Sequence, residues 1–348
     1  MDILIDLLVF FAQVAILSVA LVAVFTAIMA AGMRAKRQAS RGNIVVTHLN
    51  KEFDRMRDAL RQQVYDRFAF KLIRKQEKKQ RKAEQQDKKK QASDGKRGKS
   101  VFVINFKGDI AATQVESLRQ EVSTVLSLAG RDDQVILRLD SPGGLVNAYG
   151  LAASQLQRIR QREIPLTVCV DKMAASGGYM MACLADRLVA APFAVLGSIG
   201  VLMQVPNFNR VLKNHDVDFE MITAGEFKRT LTLFGETTQK ARNKVQEDVE
   251  EIHSLFKHWV SEYRPVLDID AVATGETWFG NQALENHLAD EVGTSDDIIM
   301  KACEDADVYE VRYELRKNLG EKIGKSASTV LEKTALNWLQ RLRESRYF

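Results

Sequence analysis

Cysteine is scarce. Cys169, Cys183 and Cys303 are the only three in 348 residues, too few and too scattered for a disulfide framework or a thiolate metal site. Histidine is thin as well. None of His48, His215, His253, His258 and His287 lies in a Gly/Ser-rich loop. A Ser-His-Asp triad therefore has no candidate that stands out, although triads are set by geometry rather than by position in the chain. Charge is missing altogether from Leu7 to Met33, and no aromatic residue is interleaved with the basic residues that follow Phe70 in the segment up to residue 100. The second of these gaps argues against a nucleic-acid-binding surface, which pairs cations with stacking platforms.

The basic character of the chain is local. Fifty Lys+Arg stand against 45 Asp+Glu, a net +5. Residues 1–33 carry −2 and residues 34–100 carry 22 basic and 8 acidic side chains. The remaining 28 basic and 35 acidic side chains make the body acidic, which excludes a uniformly basic polyanion-binding domain. The 27 residues from Leu7 to Met33 are long enough to span a bilayer. With Asp2 and Asp6 ahead of this run in place of a basic n-region, an uncleaved anchor is expected rather than a signal peptide. Arg34, Lys36, Arg37 and Arg41 follow at once, so the positive-inside rule predicts a cytoplasmic body, with the periplasmic orientation as the alternative. A second uncharged stretch, 188–208, is broken by Pro192, Gly197 and Gly200, and reads as two buried strands near Leu188–Ala191 and Ser198–Val205.

Apolar residues at Phe53, Met56, Leu60, Val64 and Phe68 predict one amphipathic helix, and residues 73–100 a solvated, basic tether able to attract anionic headgroups. Beyond residue 100 strand and helix patterns alternate. Strands are expected at Val101–Phe106, Gln134–Leu139, Leu166–Val170 and Phe219–Ile222, and helices around Val115–Val125, Tyr149–Ile159, from Ser176, and Val245–Val260. Such alternation predicts an α/β fold with a largely parallel sheet, whose sites form in loops at the carboxyl ends of strands. A last apolar stripe, Leu331, Ala335, Trp338 and Leu342, predicts an amphipathic helix over 316–348, suited equally to core packing and to assembly.

Two loops carry chemistry. Ser176 lies among small residues at a strand-to-helix junction, where free N–H groups and positive potential gather. Gly143 and Gly144 in the preceding loop, with Gly177, can form an oxyanion hole. The plain alternative is a serine that only caps a helix. A lysine can activate a serine if held neutral, which requires its pKa to fall from about 10.4 to about 7–8, at a cost of about 4 kcal/mol.

Ala175–Tyr179 (ASGGY), Gly197–Val201 (GSIGV) and Asp140–Gly144 (DSPGG) resemble the signal-peptide peptidase A family of membrane serine proteases. So do Gly225-Glu226-Phe227-Lys228, the run Trp278–Leu284 and Asp290-Glu291-Val292-Gly293. The match runs in unbroken order over roughly residues 100–305, and the single anchor and basic linker make it most similar to the SohB-type branch. The resemblance implies a ClpP/crotonase-like superhelix of β-β-α units over 101–315. It also implies a Ser-Lys dyad with Ser176 as nucleophile, Lys228 as general base, Ser198 orienting the lysine amine, and the N–H groups of Gly143 and Gly177 as oxyanion donors. It implies no cofactor or metal, and a homo-oligomeric ring in which the lysine can serve a neighbouring serine. After Lys228, where the family often has small residues and a proline, Arg229, Thr230, Leu231 and Thr232 intervene. Lys172, four residues from Ser176, is a rival base. The expected activity is a membrane-anchored serine endopeptidase in the bacterial inner membrane, acting on peptides or unfolded segments, remnant signal peptides among them. A non-catalytic membrane scaffold is the alternative, and acyl-CoA chemistry on the crotonase scaffold a third reading.

Overall fold

The computed structural model describes residues 42–79 and 98–315. The apolar run 7–33, the middle of the basic segment and the C-terminal stripe 331–342 lie outside the described residues. Two units are distinguished, Val46–Arg312 and a small one comprising the chain up to Val45 and from Tyr313 onwards. In the small unit the Gly42 N–H donates to the Tyr313 hydroxyl at 2.7 Å.

The body opens with β1 (Asn43–His48), α1 (Leu49–Val64), β2 (Ser100–Lys107), α2 (Val115–Leu126), β3 (Gln134–Asp140) and α3 (Val146–Arg160). Then come β4 (Leu166–Val170), β5 (Met173–Ala175), α4 (Gly177–Ala182), β6 (Arg187–Ala190), β7 (Val195–Gly197), α5 (Asn209–Asn214) and α6 (Gln239–Tyr263). It closes with α7 (Ile269–Val272), β8 (Thr277–Phe279), α8 (Gly280–Glu285), β9 (Glu291–Val292), α9 (Ser295–Asp305) and β10 (Asp307–Glu314). Seven strands form one sheet in the order β1-β10-β2-β3-β4-β6-β9. Every pairing from β10 to β9 is parallel. A second sheet runs β5-β7-β8, with β5 parallel and β8 antiparallel to β7.

Both faces of the large sheet are covered, as its near-continuous apolar strands require. Val101, Val103, Ile136, Cys169 and Val189 cluster with Ile298 and Ile299 of α9 and Leu49 of α1. On the other face Phe106 meets Tyr149 of α3 edge to face. Helix α6 begins where the Thr238 side chain accepts the Ala241 N–H, and its Val245, Phe256 and Val260 are buried, as their spacing predicted. Trp259 on the same helix donates its indole N–H to the Met180 carbonyl at 3.0 Å, so α6 backs α4.

The mixed α/β architecture with a parallel sheet follows the sequence pattern, while three local expectations need correction. The strand expected at Ser198–Val205 is β7, three residues earlier, and nothing from Ser198 to Val205 is strand. Gly197 at φ +103° and Ser198 at φ +51° end the extended run there. Phe219–Ile222 forms no strand; no sheet neighbour pairs with it, and Ile222 is 96% exposed. The helix expected over Phe53–Phe68 stops at Val64, where Tyr65 turns extended. The Asp66 carboxylate then accepts the N–H groups of Phe68 and Ala69 and starts a second helix over 67–79. The uncharged stretch 188–208 enters the body as β6, β7 and irregular chain. Among the described residues no helix is long and apolar enough to cross a membrane.

One tie closes the body behind α4. The buried Arg264, capping α6, donates to the Asp290 carboxylate at 2.8 and 3.2 Å and to the His287 carbonyl at 2.8 and 3.2 Å. Asp290 also accepts the Leu188 N–H of β6 at 2.6 Å. Burial works to raise the Asp290 carboxyl, but Arg264, the Leu188 N–H and Arg187 outweigh it and hold the group below the usual carboxylate range. A depressed carboxyl contributes stability above its unfolded pKa of about 3.9 and loses it as pH falls through the lower folded value. Asp290→Asn is expected to destabilise the protein by about 1–3 kcal/mol at neutral pH and to flatten the loss of stability below about pH 4. Thermal melts of both proteins across pH check this, and superimposable curves would remove the tie from the stability of the fold.

Candidate active site

The chain leaves β4 through Asp171 and Lys172 and enters β5. Asp171 accepts the backbone N–H of Ser295 at 2.8 Å and the Ser295 hydroxyl at 2.5 Å, which ties this turn to the start of α9. Strand β5 pairs with β7 so that Ala175 lies beside Gly197. The next residue on each strand is a serine. The Ser176 N–H donates to the Gly197 carbonyl at 2.8 Å, and the Ser198 N–H donates to the Glu276 carbonyl at 2.6 Å. Ser176 and Ser198 are thus neighbours across parallel strands, whose spacing is about 5 Å.

Both serines are held at φ +51°. A side chain there costs about 1–2 kcal/mol per residue, and such strain persists only where its surroundings impose it. Ser176 is the N-cap of α4, yet its side chain makes no capping hydrogen bond. Among the described residues its hydroxyl has no hydrogen-bond partner, beside the N–H-rich end of the helix. The reading of Ser176 as a plain cap has no support in this geometry.

The loop Asp140–Gly144 packs directly on this turn. The Ser141 N–H donates to Met173 and the Ser141 carbonyl accepts from Ala175, at 2.8 and 3.0 Å. Gly143 follows at φ +85°, and a Cβ there would lie 2.7 Å from the Gly177 nitrogen, 2.7 Å from the Ala175 oxygen and 2.8 Å from the Ser176 Cβ. Only glycine allows this approach. The Gly177 N–H forms no hydrogen bond among the described residues, while the Gly143 N–H donates to Ser141 Oγ over a long 3.1 Å. The two expected oxyanion donors therefore lie side by side, one free and one weakly engaged.

A buried chain of hydroxyls supports the loop. Tyr149 donates to the Asp109 carbonyl at 2.9 Å, so its hydroxyl accepts from Ser141 at 2.6 Å and Ser141 in turn accepts from Gly143. Burial pushes the Tyr149 phenol above its ordinary value, which keeps it a donor. The Tyr149 ring also fills the space under Gly177, where a Cβ would come within 2.4 Å of it. From beyond β7, the Trp278 ring closes on Gly197, where a Cβ would come within 2.7 Å. Sequence patterns marked Tyr149 only as a helix-face residue and Ser141 only as part of a turn. The signal for their pairing, a lone phenol in an apolar stripe, has meaning only once the fold sets it under the glycine loop.

The expected base forms no bond to the serine in the single chain. Lys228 follows the Gly225 turn, its N–H bonded to the Gly225 carbonyl at 3.2 Å, and its side chain is exposed. Among the described residues no hydrogen bond or ion pair joins it to Ser176 or Ser198. Lys172 is 77% exposed and 3.9 Å from Asp140, with none of the burial a neutral lysine needs. No histidine hydrogen-bonds Ser176 among the described residues. Burial pushes the thiols of Cys169 and Cys183 up to about 12, so neither supplies a thiolate. No group of three or more metal-ligating side chains occurs among the described residues.

A free serine hydroxyl on strained backbone, set at a helix N-terminus against a glycine loop, suits acyl transfer to a hydroxyl, and the class that comparison with known proteins supports is a serine-type peptidase. The chain belongs to peptidase family S49, whose model matches residues 158–309 and whose N-terminal model matches residues 2–156. Its similarity places it in the SohB-type branch. It is 52% identical over 263 residues to a probable protease SohB of Haemophilus influenzae, covering 75% of this chain and 73% of that protein. It is 51% identical over 238 residues to the corresponding protein of Buchnera aphidicola, covering 68% and 71%. A solved structure similar to it is that of a lysine-to-alanine mutant of the 1510-N membrane-bound stomatin-specific protease in complex with a substrate peptide, at a TM-score of 0.41 and 14% identity over 67% of this chain and 99% of that one. The protein is a protease, and its substrates are peptides or proteins.

Two substitutions test the geometry. Gly143→Ala is expected to lower activity by at least about 100-fold, because the added methyl pushes the loop away from Ser176 and Gly177. Cleavage of a casein or peptide reporter checks this, and a fully active variant would contradict the loop contact. Tyr149→Phe should cost about 1 kcal/mol in a thermal melt and a measurable loss of turnover, because Ser141 loses its acceptor.

Proposed function

We propose that this protein is a membrane-anchored serine endopeptidase that uses a Ser-Lys dyad. The observation that carries the reading is the β5–β7 register, which sets Ser176 beside Ser198 at the mouth of α4 and against Gly143. Ser176 Oγ attacks the peptide carbonyl while Lys228 Nζ takes its proton. The N–H groups of Gly177 and Gly143 receive the oxyanion, Gly143 turning from Ser141 as the charge develops. Lys228 then gives its proton to the leaving amine. Water attacks the acyl-enzyme, Lys228 takes the proton of that water, and the proton passes back to Ser176 as the acid product leaves. Ser198 orients the lysine amine.

Lys228 reaches the serine through a rearrangement of its loop or from a second copy of the chain. The segment that carries it favours the second copy. Leu202, Met203, Phe208, Phe219, Ile222, Phe227 and Phe234 are all at least 40% exposed in the single chain, an apolar surface of the kind that an oligomer buries. This supports a homo-oligomeric ring. Ile110 and Leu145, exposed beside the glycine loop, favour apolar side chains in the substrate, as in unfolded segments or remnant signal peptides.

We assign the fold over 101–315 to the ClpP/crotonase-like superhelix of β-β-α units, in keeping with the parallel sheet and the small second sheet. The further division is a transmembrane anchor at 1–33, a basic linker at 34–100 and an amphipathic helix at 316–348. The 27-residue uncharged run and the basic residues after it support a single-pass protein of the bacterial inner membrane with its catalytic part in the cytoplasm.

Ser176→Ala and Lys228→Ala are each expected to lower peptide cleavage by about 1,000-fold or more without loss of fold. Full activity in either sinks the dyad. Mixing the two inactive proteins restores part of the activity if the lysine serves a neighbouring subunit.

A further inference from the structure

The helices before residue 80 form a hairpin that the catalytic arrangement does not use. Its base is bolted to the body. The Asn50 amide donates to the Cys303 and Ala306 carbonyls, both at 2.9 Å, and its oxygen accepts the Val308 N–H at 2.8 Å. Leu49 and Phe53 pack into the core beside Ile298 and Ile299. The second helix, 67–79, folds back on α1 through an Arg61–Glu77 ion pair. Of the remaining apolar residues Phe70 and Ile73 are half-buried, and five face outward. Met56, Leu60, Val64, Phe68 and Leu72 are 58%, 66%, 68%, 75% and 49% exposed. Met56, Leu60 and Val64 recur every four residues along α1, Phe68 and Leu72 lie one turn apart on the second helix, and Arg55, Arg57, Arg67 and Lys71 flank them.

We infer that this hairpin is a second membrane contact, lying in the interface of an anionic bilayer with its exposed apolar row among the acyl chains and its cations on the headgroups. An apolar row bordered by arginine and lysine is the pattern of interfacial helices. Over 49–79 ten basic side chains stand against five acidic ones. Among the described residues Arg55, Arg67, Lys71, Arg74 and Lys75 have no ion-pair partner. Charge therefore favours lipid over a second copy of the same face, since a two-fold contact would set cation against cation. Reach agrees. Nine residues, 34–42, separate the apolar run from β1, and they span at most about 30 Å. The inference rests on the anchor reading of residues 7–33. It adds that the body is held by two points rather than swinging on one, so Asn50 transmits a fixed distance from the bilayer to the sheet.

The test uses the full chain carrying Phe68→Trp, reconstituted in vesicles of phosphatidylcholine and phosphatidylglycerol with and without brominated acyl chains. Bromolipid quenching at least about twofold above that of the wild type is expected. It should fall in vesicles without phosphatidylglycerol, and fall likewise when Arg55, Arg67, Lys71, Arg74 and Lys75 are all changed to Gln. A chain that floats with the vesicles but shows wild-type quenching overturns the second contact and leaves the anchor standing. Blue-shifted but unquenched emission overturns it in favour of a protein partner. A chain that does not float with vesicles removes the anchor and the inference together.

Discussion

The parallel pairing of β5 with β7 is the constraint on which the site depends. A hydrogen bond from the Ser176 N–H to the Gly197 carbonyl holds the turn out of β5, and the chain on both sides leaves through left-handed backbone. Two serines are thereby placed next to each other although 21 residues lie between them. Strain of this kind survives only if its neighbours leave no alternative. Here the neighbours are the Trp278 ring over Gly197, the Tyr149 ring under Gly177 and the Gly143 backbone against Ser176 itself. A close-packed interior cannot relax around such contacts, so the position of a single hydroxyl is set by three elements far apart in the chain.

Behind that turn the fold provides rigidity in layers. The large parallel sheet is buried on both faces, and α4 sits on it with Tyr179 bonded to the Leu288 carbonyl at 3.0 Å. Helix α6 closes over α4 through Trp259, and Arg264 at its end binds the Asp290 segment. The rigid part ends there. Beyond Gly200 the chain is largely irregular and exposed as far as Thr238, organised locally by Asn207, whose amide donates to the Thr232 and Gly235 carbonyls at 3.1 and 3.0 Å. The proposed base thus belongs to a segment with little core of its own, while the serine belongs to the most constrained part of the molecule.

Much of this was legible in the chain. The strands Val101–Phe106, Gln134–Leu139 and Leu166–Val170 and the long helix around Val245–Val260 announce themselves by apolar patterning, because burial of those side chains is what drives the elements together. The expected strand at Ser198–Val205 fails for a reason equally physical. Residues with strand-like side chains form a strand only where a neighbour offers its backbone, and past the Ser198 bond to Glu276 the positive φ at Gly197 and Ser198 carries the chain away from β8. Phe219–Ile222 fails for want of such a neighbour. The helix expected to reach Phe68 is cut by Asp66, whose carboxylate restarts the chain as a new helix, an effect that apolar spacing alone does not register.

The sequence by itself determined the class of fold, the family and two glycine-rich loops, because hydrophobic period and glycine placement are local properties of the chain. It also determined the charge map, an acidic body joined to a basic segment beside a long apolar run. Only the tertiary structure decided which atoms of those loops meet. Apposition of Ser176 with Ser198, the approach of Gly143 and the hydroxyl chain through Ser141 and Tyr149 depend on strand register and ring packing between residues distant in sequence. Those contacts are long-range, and no local pattern encodes the distance between two loops.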